Sequence, residues 1–550
     1  MKSNYIMLRV LVIIISGLCS IILVQSQEIT FTRQDTLRGS ITPERKWWDL
    51  KYYHLDIAVH PEDSTIEGKN TIVYQVIELN NVLQIDLQPP LVIYSAIQNG
   101  NSLEIVHDGN AHFIHLTEEQ ISGTTFEVEI YYGGKPHVAL NPPWDGGITW
   151  KKDRNGLPFI ASSCQGIGAS IWWPCKDHMY DEPDSMLISV NVPDSQTCAS
   201  NGRLRSVDIK EDGTHTFHWF VSNPINNYGV NINLGDYVHF SDQYQGEKGK
   251  LDIEYYVLKD NLEKAKVHFK DVNRMLEAFE YWFGPYPFYE DGYKLVQAPY
   301  LGMEHQSCIT YGNGFQNGYL GFDESGSGWG EKFDFIIIHE SGHEWFANSI
   351  TYKDIADMWI HESFTNYSEN LFVEYFYGKQ AGKEYARGTR KNIWNDSPII
   401  GFYDVNHEGS GDMYPKGGNM LHTLRQIVND DKKWREILRG INREFYHQVV
   451  TTEQIENYLI ENAEINPSFF DQYLRDVRIP VFEYYIKDDL LYYRWNNCVP
   501  KFNMPVKVYL SGKETWLYPI MVWKKTEVKS NETEISVDPD FYVASMDITK

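Results

Sequence analysis

The residues of this sequence best suited to chemistry are two histidines and a glutamate between positions 339 and 343. His339 and His343 are four residues apart in EKFDFIIIHESGHEWFANSI (331–350), and Glu340 directly follows the first histidine. The apolar residues of this stretch and its lack of proline predict a helix, on which the two imidazoles lie about 40° apart around the axis and share one face. Two imidazoles with this glutamate form the HExxH pattern, in which the histidines bind Zn²⁺ and the glutamate handles the proton of a water molecule.

A third metal ligand is predicted on a second helix. The stretch TYKDIADMWIHESFTNYSENLFVEYFYG (351–378) reads as a turn followed by a helix whose first carboxylate is Glu362. His339, His343 and Glu362 would hold one Zn²⁺ ion and leave its fourth position for water or substrate, as a hydrolytic site requires. The alternative is a buried helix with two satisfied histidines and a surface carboxylate. Glu369 lies two turns beyond Glu362, where it would orient a histidine ligand unless it is solvated.

Further segments resemble the zinc aminopeptidases of the aminopeptidase N, puromycin-sensitive and leukotriene-hydrolase type, which are gluzincins. HEWFAN (343–348) and WIHESFTNY (359–367) are close to the segments that flank that family's metal ligands, and LGMEH (301–305) is similar to its GAMEN exopeptidase motif. The resemblance covers about residues 150–480 and is weak before them. It implies a multidomain α+β fold with an N-terminal β-saddle domain, a thermolysin-like, mainly helical catalytic domain and a small C-terminal β-sandwich.

The resemblance implies a binding site for the amino end of a peptide. Glu304 would receive the free α-amino group, while the backbone at Gly302 and Met303 pairs with the peptide as an added strand. Gln165, in SSCQGIGASIWWPC (162–175), matches a family position that also contacts this amine, although an ordinary loop glutamine is the alternative. A carboxylate at a fixed distance from zinc restricts cleavage to the first peptide bond, which would make the protein an exopeptidase.

Two residues are expected to carry the chemical step. Glu340 would take a proton from water and pass it to the leaving amine. Tyr414, in MYPKGGNM (413–420), matches the family tyrosine whose hydroxyl stabilises the oxyanion formed by water attack. The sequence departs from the family at His305, where the GAMEN motif ends in asparagine, and at His361, which precedes the glutamate ligand. Both histidines are potential extra ligands, although their spacing makes them poorer candidates.

The sequence around these motifs predicts three folded regions. Short alternating stretches such as YYHLDIAVH (52–60) predict a β domain over residues 27–228. An apolar spacing of three and four residues in 261–284 predicts helices and a thermolysin-like zinc domain over 229–479. Alternation then returns, which predicts a β-sandwich over 480–550.

The first 26 residues read as a cleaved signal peptide. Lys2 and Arg9 precede an apolar run over 10–24, which is short of the roughly 20 residues that span a bilayer. The mature chain is therefore expected to be exported, to the periplasm, the cell surface or the medium, without an integral membrane span. A retained membrane anchor is the alternative.

Composition excludes several classes of protein. Of 550 residues, 49 are Lys or Arg and 75 are Asp or Glu, which gives a formal charge of −26. Because a nucleic-acid face would have to form against this charge, nucleic acid is not an expected partner. Five cysteines follow the leader and contain no Cys-x-x-Cys pair, so neither a disulfide scaffold nor a thiolate zinc site is indicated.

Three functions therefore compete. The first is a zinc aminopeptidase that takes peptides with a free N-terminus. The second is a thermolysin-type zinc endopeptidase, which keeps HExxH but leaves Glu304 unexplained. The third is a catalytically silent peptide-binding module on the same fold, against which Glu340, Glu304 and Tyr414 count. Sequence does not indicate the preferred first residue of the substrate or the oligomeric state.

Overall fold

The computed structural model describes residues 30–529 and 534–549 of the chain. The predicted signal peptide thus lies outside the described residues. Two short helices, α1 (Arg33–Gly39) and α2 (Pro43–Lys46), precede a β-rich region. Its strands are β1 Trp48–His60, β2 Thr65–Val76, β3 Val82–Asp86, β4 Val92–Gln98, β5 Asn101–Ser102, β6 Glu104–Asp108, β7 Ala111–His115, β8 Thr125–Gly134, β9 Gly147–Lys152, β10 Pro158–Ser163, β11 Ser185–Pro193, β12 Thr197–Ser200, β13 Arg203–Ile209, β14 Thr214–Val221 and β15 Ile232–Gly235.

These strands form three sheets. The largest has the order β13-β14-β11-β1-β2-β8-β4-β5, and only its β1–β11 pair is parallel. The smaller sheets have the orders β3-β7-β6 and β12-β15-β10-β9. Burial alternates along most of β1, as its alternating sequence predicts, because successive side chains point to opposite faces. The inner faces enclose a core that includes Trp48, Trp172, Trp173 and Trp219.

The central region begins with strands and continues with helices. Its strands are β16 Tyr237–Gly246, β17 Gly249–Leu258, β18 Tyr293–Gln297, β19 Gly302–Met303, β20 Ile309–Tyr311, β21 Ile350–Tyr352 and β22 Gln448–Val450. Its helices are α3 Leu262–His268, α4 Asp271–Phe283, α5 Phe335–Gly342, α6 Trp359–Tyr377, α7 Lys379–Thr389, α8 Pro415–Val428, α9 Asp431–Glu444, α10 Thr452–Ala463 and α11 Ser468–Leu474. A sheet of order β16-β17-β18-β20-β19 lies beside these helices, so β19 is its edge strand.

The start of helix α5 is fixed by a buried aspartate. Asp334 Oδ1 accepts hydrogen bonds from the backbone N–H groups of Ile336 (3.0 Å) and Ile337 (3.3 Å). Its other oxygen lies 2.6 Å from His268 Nε2 and accepts from the hydroxyl of Tyr311 at 2.7 Å. An N-cap residue tied to two other elements sets both the first turn and the direction of the helix. The HExxH residues follow directly from this anchor.

Two predicted helices differ from the observed ones. The predicted helix over 261–284 is two helices, because the chain turns at Phe269 and Lys270 between α3 and α4. The helix predicted within 331–350 ends at Gly342, and the chain passes through His343 into a π-type turn, Glu344–Asn348, with non-helical backbone at Phe346 and Ala347. Apolar spacing is similar on both sides of such breaks, so periodicity alone does not reveal them.

The C-terminal region is again built from strands. They are β23 Val481–Lys487, β24 Leu490–Asn496, β25 Val506–Leu510, β26 Lys513–Leu517, β27 Lys524–Glu527, β28 Ile535–Val537 and β29 Ala544–Asp547. They form two small sheets, of order β27-β24-β23-β29 and β26-β25-β28. The architecture is therefore the expected one: a β-rich N-terminal domain, a mainly helical catalytic domain and a C-terminal β domain. The exact boundaries 27–228, 229–479 and 480–550 remain predictions, and β15 pairs with the N-terminal strands β10 and β12.

Two negative findings concern the described residues. Between residues 30 and 529 and between 534 and 549, no helix is long and apolar enough to cross a membrane. The five cysteines in these ranges are buried and unbridged: Cys164, Cys175, Cys198, Cys308 and Cys498.

Candidate active site

Two helices bring the three predicted metal ligands together. His339 and His343 come from the end of α5, and Glu362 comes from the first turn of α6. Glu362 Oε2 lies 3.4 Å from His343 Nε2 and 3.8 Å from His339 Nε2. One donor atom from each of the three residues lies within 4.8 Å of the other two. All three side chains are buried.

This donor set fits a zinc ion. Glu362 Oε2 is buried and accepts no hydrogen bond from the described residues, which is costly unless a cation occupies the space that it faces. Although burial alone would lower it, Glu362 and Glu304 raise the pKa of His343 to about 10, so the surrounding carboxylates favour positive charge at this point. Two imidazoles and a carboxylate are a common ligand set of catalytic Zn²⁺.

The second nitrogen of each histidine is held by the protein. His339 Nδ1 lies 2.8 Å from Glu369 Oε1, whose second oxygen accepts from the hydroxyl of Tyr385 at 2.7 Å. His343 Nδ1 lies 3.0 Å from the carbonyl oxygen of Phe346, in the π-type turn, and 3.1 Å from Thr365 Oγ1. Such contacts fix which nitrogen faces the metal and how the ring is turned. Glu369 is thus buried beside His339 and is not a solvated residue.

Glu340 lies beside the ligand cluster without belonging to it. Glu340, Glu304 and His343 form a second group, in which one ligand atom of each residue lies within 4.8 Å of those of the other two. Burial raises the pKa of Glu340 to about 7, with a smaller contribution from the charge of Glu304. A carboxylate that exchanges a proton near neutral pH is suited to general acid and base chemistry.

Glu304 follows the edge strand β19 and is held by side chains from the N-terminal domain. Its Oε1 accepts a hydrogen bond from Gln165 Nε2 at 2.7 Å and another from the hydroxyl of Tyr228 at 3.1 Å. Gln165 Nε2 also lies 3.0 Å from Glu362 Oε1, so this amide joins the two carboxylates. Tyr228 had no motif to indicate it, because it approaches the site only through the packing of two domains.

The predicted backbone site for a peptide lies at a sheet edge. Gly302 and Met303 form β19, which pairs with β20 on one side only. A Cβ atom on Gly302 would lie 2.6 Å from a side-chain carbon of Ile336 and 2.9 Å from Glu340 Oε1. Glycine therefore lets this edge strand pass directly over the HExxH helix.

Tyr414 stands at the start of α8, directly before Pro415. Its ring centroid is 6.1 Å from that of His339. Burial and the charge of Glu362 raise the pKa of Tyr414 well above its ordinary value, so its hydroxyl keeps its proton and remains a hydrogen-bond donor.

The two unexpected histidines lie outside the ligand cluster. His361 Nε2 accepts a hydrogen bond from the backbone N–H of Tyr352 at 2.9 Å, so this nitrogen is already engaged by the protein. His305 is buried, and its Nδ1 lies 3.5 Å from Thr310 Oγ1. Neither histidine belongs to the metal-ligand groups of the described residues.

The metal ligands, Glu304, Glu340 and Tyr414 line a cleft of about 900 Å³ between the N-terminal and central domains. One wall is formed by Gln165 and the neighbouring loop that carries Trp144, and the floor is formed by β19 and α5. Residues from the segment 406–415 also line it, and Asn406 Nδ2 donates to the carbonyl oxygen of Gly166 at 3.3 Å, so this segment contacts the loop that follows Gln165. A cleft of this size holds a short peptide with its end beside the metal ligands.

Comparison with known proteins decides the family. Residues 50–228 match the peptidase M1 N-terminal domain, and residues 267–473 match the peptidase family M1 domain. The chain belongs to peptidase family M1. The second match includes the HExxH residues, Glu304, Glu362 and Tyr414.

Similar proteins share this M1 architecture at low identity. Leukotriene A-4 hydrolase of Xenopus laevis is 23% identical over 76% of this chain and 68% of its own. Aminopeptidase B of Mus musculus is 24% identical over 64% of this chain and 53% of its own. An M1 zinc metallopeptidase from Deinococcus radiodurans has a TM-score of 0.65 at 21% identity, over 78% of this chain and 93% of the other. The chain thus spans about two thirds of the length of the leukotriene A-4 hydrolase and about half of the length of aminopeptidase B.

Proposed function

We propose that the chain is a zinc-dependent aminopeptidase that hydrolyses the N-terminal bond of peptides. The observation that carries this proposal is the position of Glu304, whose carboxylate lies within 4.8 Å of both Glu340 and His343. A carboxylate so close to a metal site leaves room for an α-ammonium group and one residue, but not for a chain that continues past it. The names of two similar proteins, aminopeptidase B and endoplasmic reticulum aminopeptidase 1, support the same activity.

Binding would begin at the amino end of the peptide. Glu304 accepts hydrogen bonds from the α-ammonium group, and Gln165 keeps that carboxylate in position. The free side of β19 pairs with the peptide backbone at Gly302 and Met303. A mutant of the M1 zinc metallopeptidase from Deinococcus radiodurans has been solved with the substrate Tyr-Ser-Ala, which supports peptide as the ligand class.

The chemical step would use residues on both sides of the scissile bond. His339, His343 and Glu362 would hold Zn²⁺, which when bound acts as a Lewis acid on the carbonyl and lowers the pKa of water. Glu340 takes the proton of the attacking water and then gives it to the leaving amine. Tyr414 donates a hydrogen bond to the oxyanion that forms in between.

Hydrolysis of leucine arylamide by the zinc-loaded protein tests this proposal. We expect turnover that a chelator removes and zinc restores, and N-acetylation of a peptide should abolish its cleavage because Glu304 loses its cationic partner. Equal cleavage of acetylated peptides would favour the thermolysin-type endopeptidase. Tight binding of free peptides without any cleavage would favour the silent peptide-binding module.

Export of the mature protein is a further part of the proposal. It is supported by Lys2, Arg9 and the apolar run over 10–24, which have the composition of a signal peptide. A periplasmic, secreted or surface-associated location follows from that reading, with a retained anchor as the alternative. N-terminal sequencing of the protein from its native source would distinguish the two, since cleavage exposes a new terminus near residue 27.

A further inference from the structure

A second cavity lies beside the turn that follows the metal ligand His343. Its volume is about 340 Å³, and among the described residues none lines both this cavity and the cleft. Its wall includes Trp345, from the π-type turn whose Phe346 carbonyl oxygen contacts His343 Nδ1. The residues that line this rear cavity include Lys248, Phe283, Pro287, Trp345, Asn442 and Arg443.

The inner surface of the rear cavity is apolar and partly aromatic. Phe283, at the end of α4, Pro287 and Trp345 are buried and line it. The ring centroids of Phe283 and Trp345 are 6.2 Å apart, and Trp345 Nε1 donates a hydrogen bond to the carbonyl oxygen of Gly284 at 3.1 Å. A preformed apolar cavity of this size is typical of a small-molecule site, and its aromatic walls favour an aromatic guest.

The charge around the rear cavity is positive, although the whole chain has a formal charge of −26. Lys248, in the turn between β16 and β17, and Arg443, on α9, are exposed and form no ion pair with the described residues. A third cation, Arg439, is compensated, because its guanidinium donates to both carboxylate oxygens of Glu247 at 2.9 and 2.7 Å. In the described part of the chain no aspartate or glutamate lines the rear cavity. Two uncompensated cations beside an apolar surface suit an anion with an apolar body.

Two buried polar groups of the rear cavity have unused hydrogen-bonding capacity. Asn442 is 8% exposed, and its Nδ2 donates to the carbonyl oxygen of Leu438 at 3.0 Å, whereas its Oδ1 accepts no hydrogen bond from the described residues. Ser349 also lines the cavity, and its Oγ accepts from the backbone N–H of His447 at 3.4 Å. Its own hydroxyl proton has no acceptor within the part of the chain that the structure describes. A buried acceptor without a donor is costly unless a group from outside supplies one.

We propose that the rear cavity binds a small aromatic carboxylic acid that also carries an N–H group, such as indole-3-acetate. The carboxylate pairs with Arg443 and Lys248, and the rings lie against Phe283 and Trp345. The N–H group donates to Asn442 Oδ1. Because Asn442 and Arg443 are consecutive residues of α9, a single bicyclic molecule can contact both. The inference does not depend on the proposed aminopeptidase function, since no residue of the cleft takes part.

Calorimetric titration of the zinc-loaded protein with indole-3-acetate tests this site. We expect saturable binding of one molecule per chain. Arg443→Gln, at an exposed position that the fold tolerates, should raise the Kd at least about fivefold because the carboxylate loses a cation. Lys250→Gln is the matched control, since it removes one positive charge from an exposed position two residues beyond Lys248 but outside the lining, and it should leave the Kd unchanged.

Two analogues of the probe test the other contacts. 1-Methylindole-3-acetate keeps the rings and the carboxylate but lacks the N–H group, and it should bind the parent protein at least about fivefold more weakly. Indole keeps the N–H group but lacks the carboxylate, so Arg443→Gln should not change its affinity.

Four outcomes would overturn the proposal. The first is the absence of saturable binding of indole-3-acetate, and the second is a Kd that Arg443→Gln leaves unchanged. The third is equal affinity for indole-3-acetate and its N-methyl analogue. The fourth is competitive inhibition of leucine arylamide hydrolysis with an inhibition constant equal to the Kd, because that result would place the molecule in the zinc cleft.

Discussion

Glu304, Glu340 and Glu362 in the cleft and Asp540 in the C-terminal domain are all buried, but their surroundings differ. Asp540 lies between β28 and β29 and contacts Lys383, Arg387 and His422, all on helices α7 and α8. Its negative charge is thus compensated by the protein itself. In the cleft, Glu304, Glu340 and Glu362 are close together with two histidines and, in the described lining, no lysine or arginine.

This difference separates a structural cluster from a functional one. At Asp540 the fold supplies the cations, and the result is a contact that attaches the C-terminal domain to the catalytic domain. In the cleft the fold supplies carboxylates and leaves the cations to be bound from outside, as a metal ion and the α-ammonium group of a substrate. Uncompensated buried charge is expensive, so its presence indicates binding or catalysis.

Glu340→Gln should have the largest effect on the cleft side of the comparison. Loss of the proposed general base is expected to reduce kcat by roughly 10³-fold, while zinc stays bound because His339, His343 and Glu362 are unchanged. Arylamide kinetics and metal analysis of the same sample measure both. His343→Ala should lose the metal as well.

The matched control for this variant is Glu331→Gln, which makes the same change at an exposed position shortly before the same helix. It should behave like the parent protein. Turnover near the parent value in Glu340→Gln would mean that another group accepts the proton.

Asp540→Asn should have the opposite effect to Glu340→Gln: it should lower the stability of the fold and leave catalysis unchanged. Removing the partner of Lys383 and Arg387 is expected to lower the free energy of unfolding by about 2 kcal/mol, below the usual cost for a buried pair because these two side chains are 21% and 26% exposed. Zinc content and kcat should not change. Urea unfolding at several pH values provides the measurement, with Asp184→Asn, from an exposed ion pair, as a control of less than about 1 kcal/mol.

The difference in unfolding free energy between the parent and Asp540→Asn depends on pH because it depends on the negative charge of Asp540. Although burial opposes it, His422 and Lys383 lower the pKa of Asp540 below its ordinary value. The stabilisation is therefore complete above the pKa of the unfolded state, about 3.9, and decreases as the pH falls further through the lower folded value. The parent and Asp540→Asn should become alike in strong acid. A constant difference at all pH values, or a loss of kcat at pH 7, would remove the contrast between the two clusters.

Sequence predicted the cleft better than the domain contact, for a physical reason. His339 and His343 are joined by one helical turn, so their approach follows from helix geometry. Glu362 could be predicted from its spacing to the same HExxH motif. Asp540 and Lys383 are 157 residues apart and meet only when two domains pack, which no local pattern records.

The same limit applies within the cleft. Tyr228 donates a hydrogen bond to Glu304 from a loop of the N-terminal domain, and it belongs to no motif of fixed spacing. The fold followed a similar rule. Alternation predicted strands such as β1, while the break between α3 and α4 and the pairing of β15 with N-terminal strands depend on packing. Local periodicity determines elements, and their boundaries depend on contacts between distant residues.

Glu369→Gln should give the smallest of these effects. It tests most directly whether a carboxylate that is satisfied by the protein, as Asp540 is, can still act on the metal site. Glu369 resembles Asp540 in being satisfied by the protein, through His339 Nδ1 and the hydroxyl of Tyr385, yet it acts on the cleft through that histidine. Glutamine can still accept a hydrogen bond from His339 but lacks the negative charge, so zinc affinity should fall by about tenfold with little change in kcat at saturating metal. Competition with a chelator of known affinity measures this Kd. Tyr385→Phe removes only the outer hydrogen bond and should cost less, whereas an unchanged Kd in Glu369→Gln would place Glu369 with Asp540 as a purely structural carboxylate.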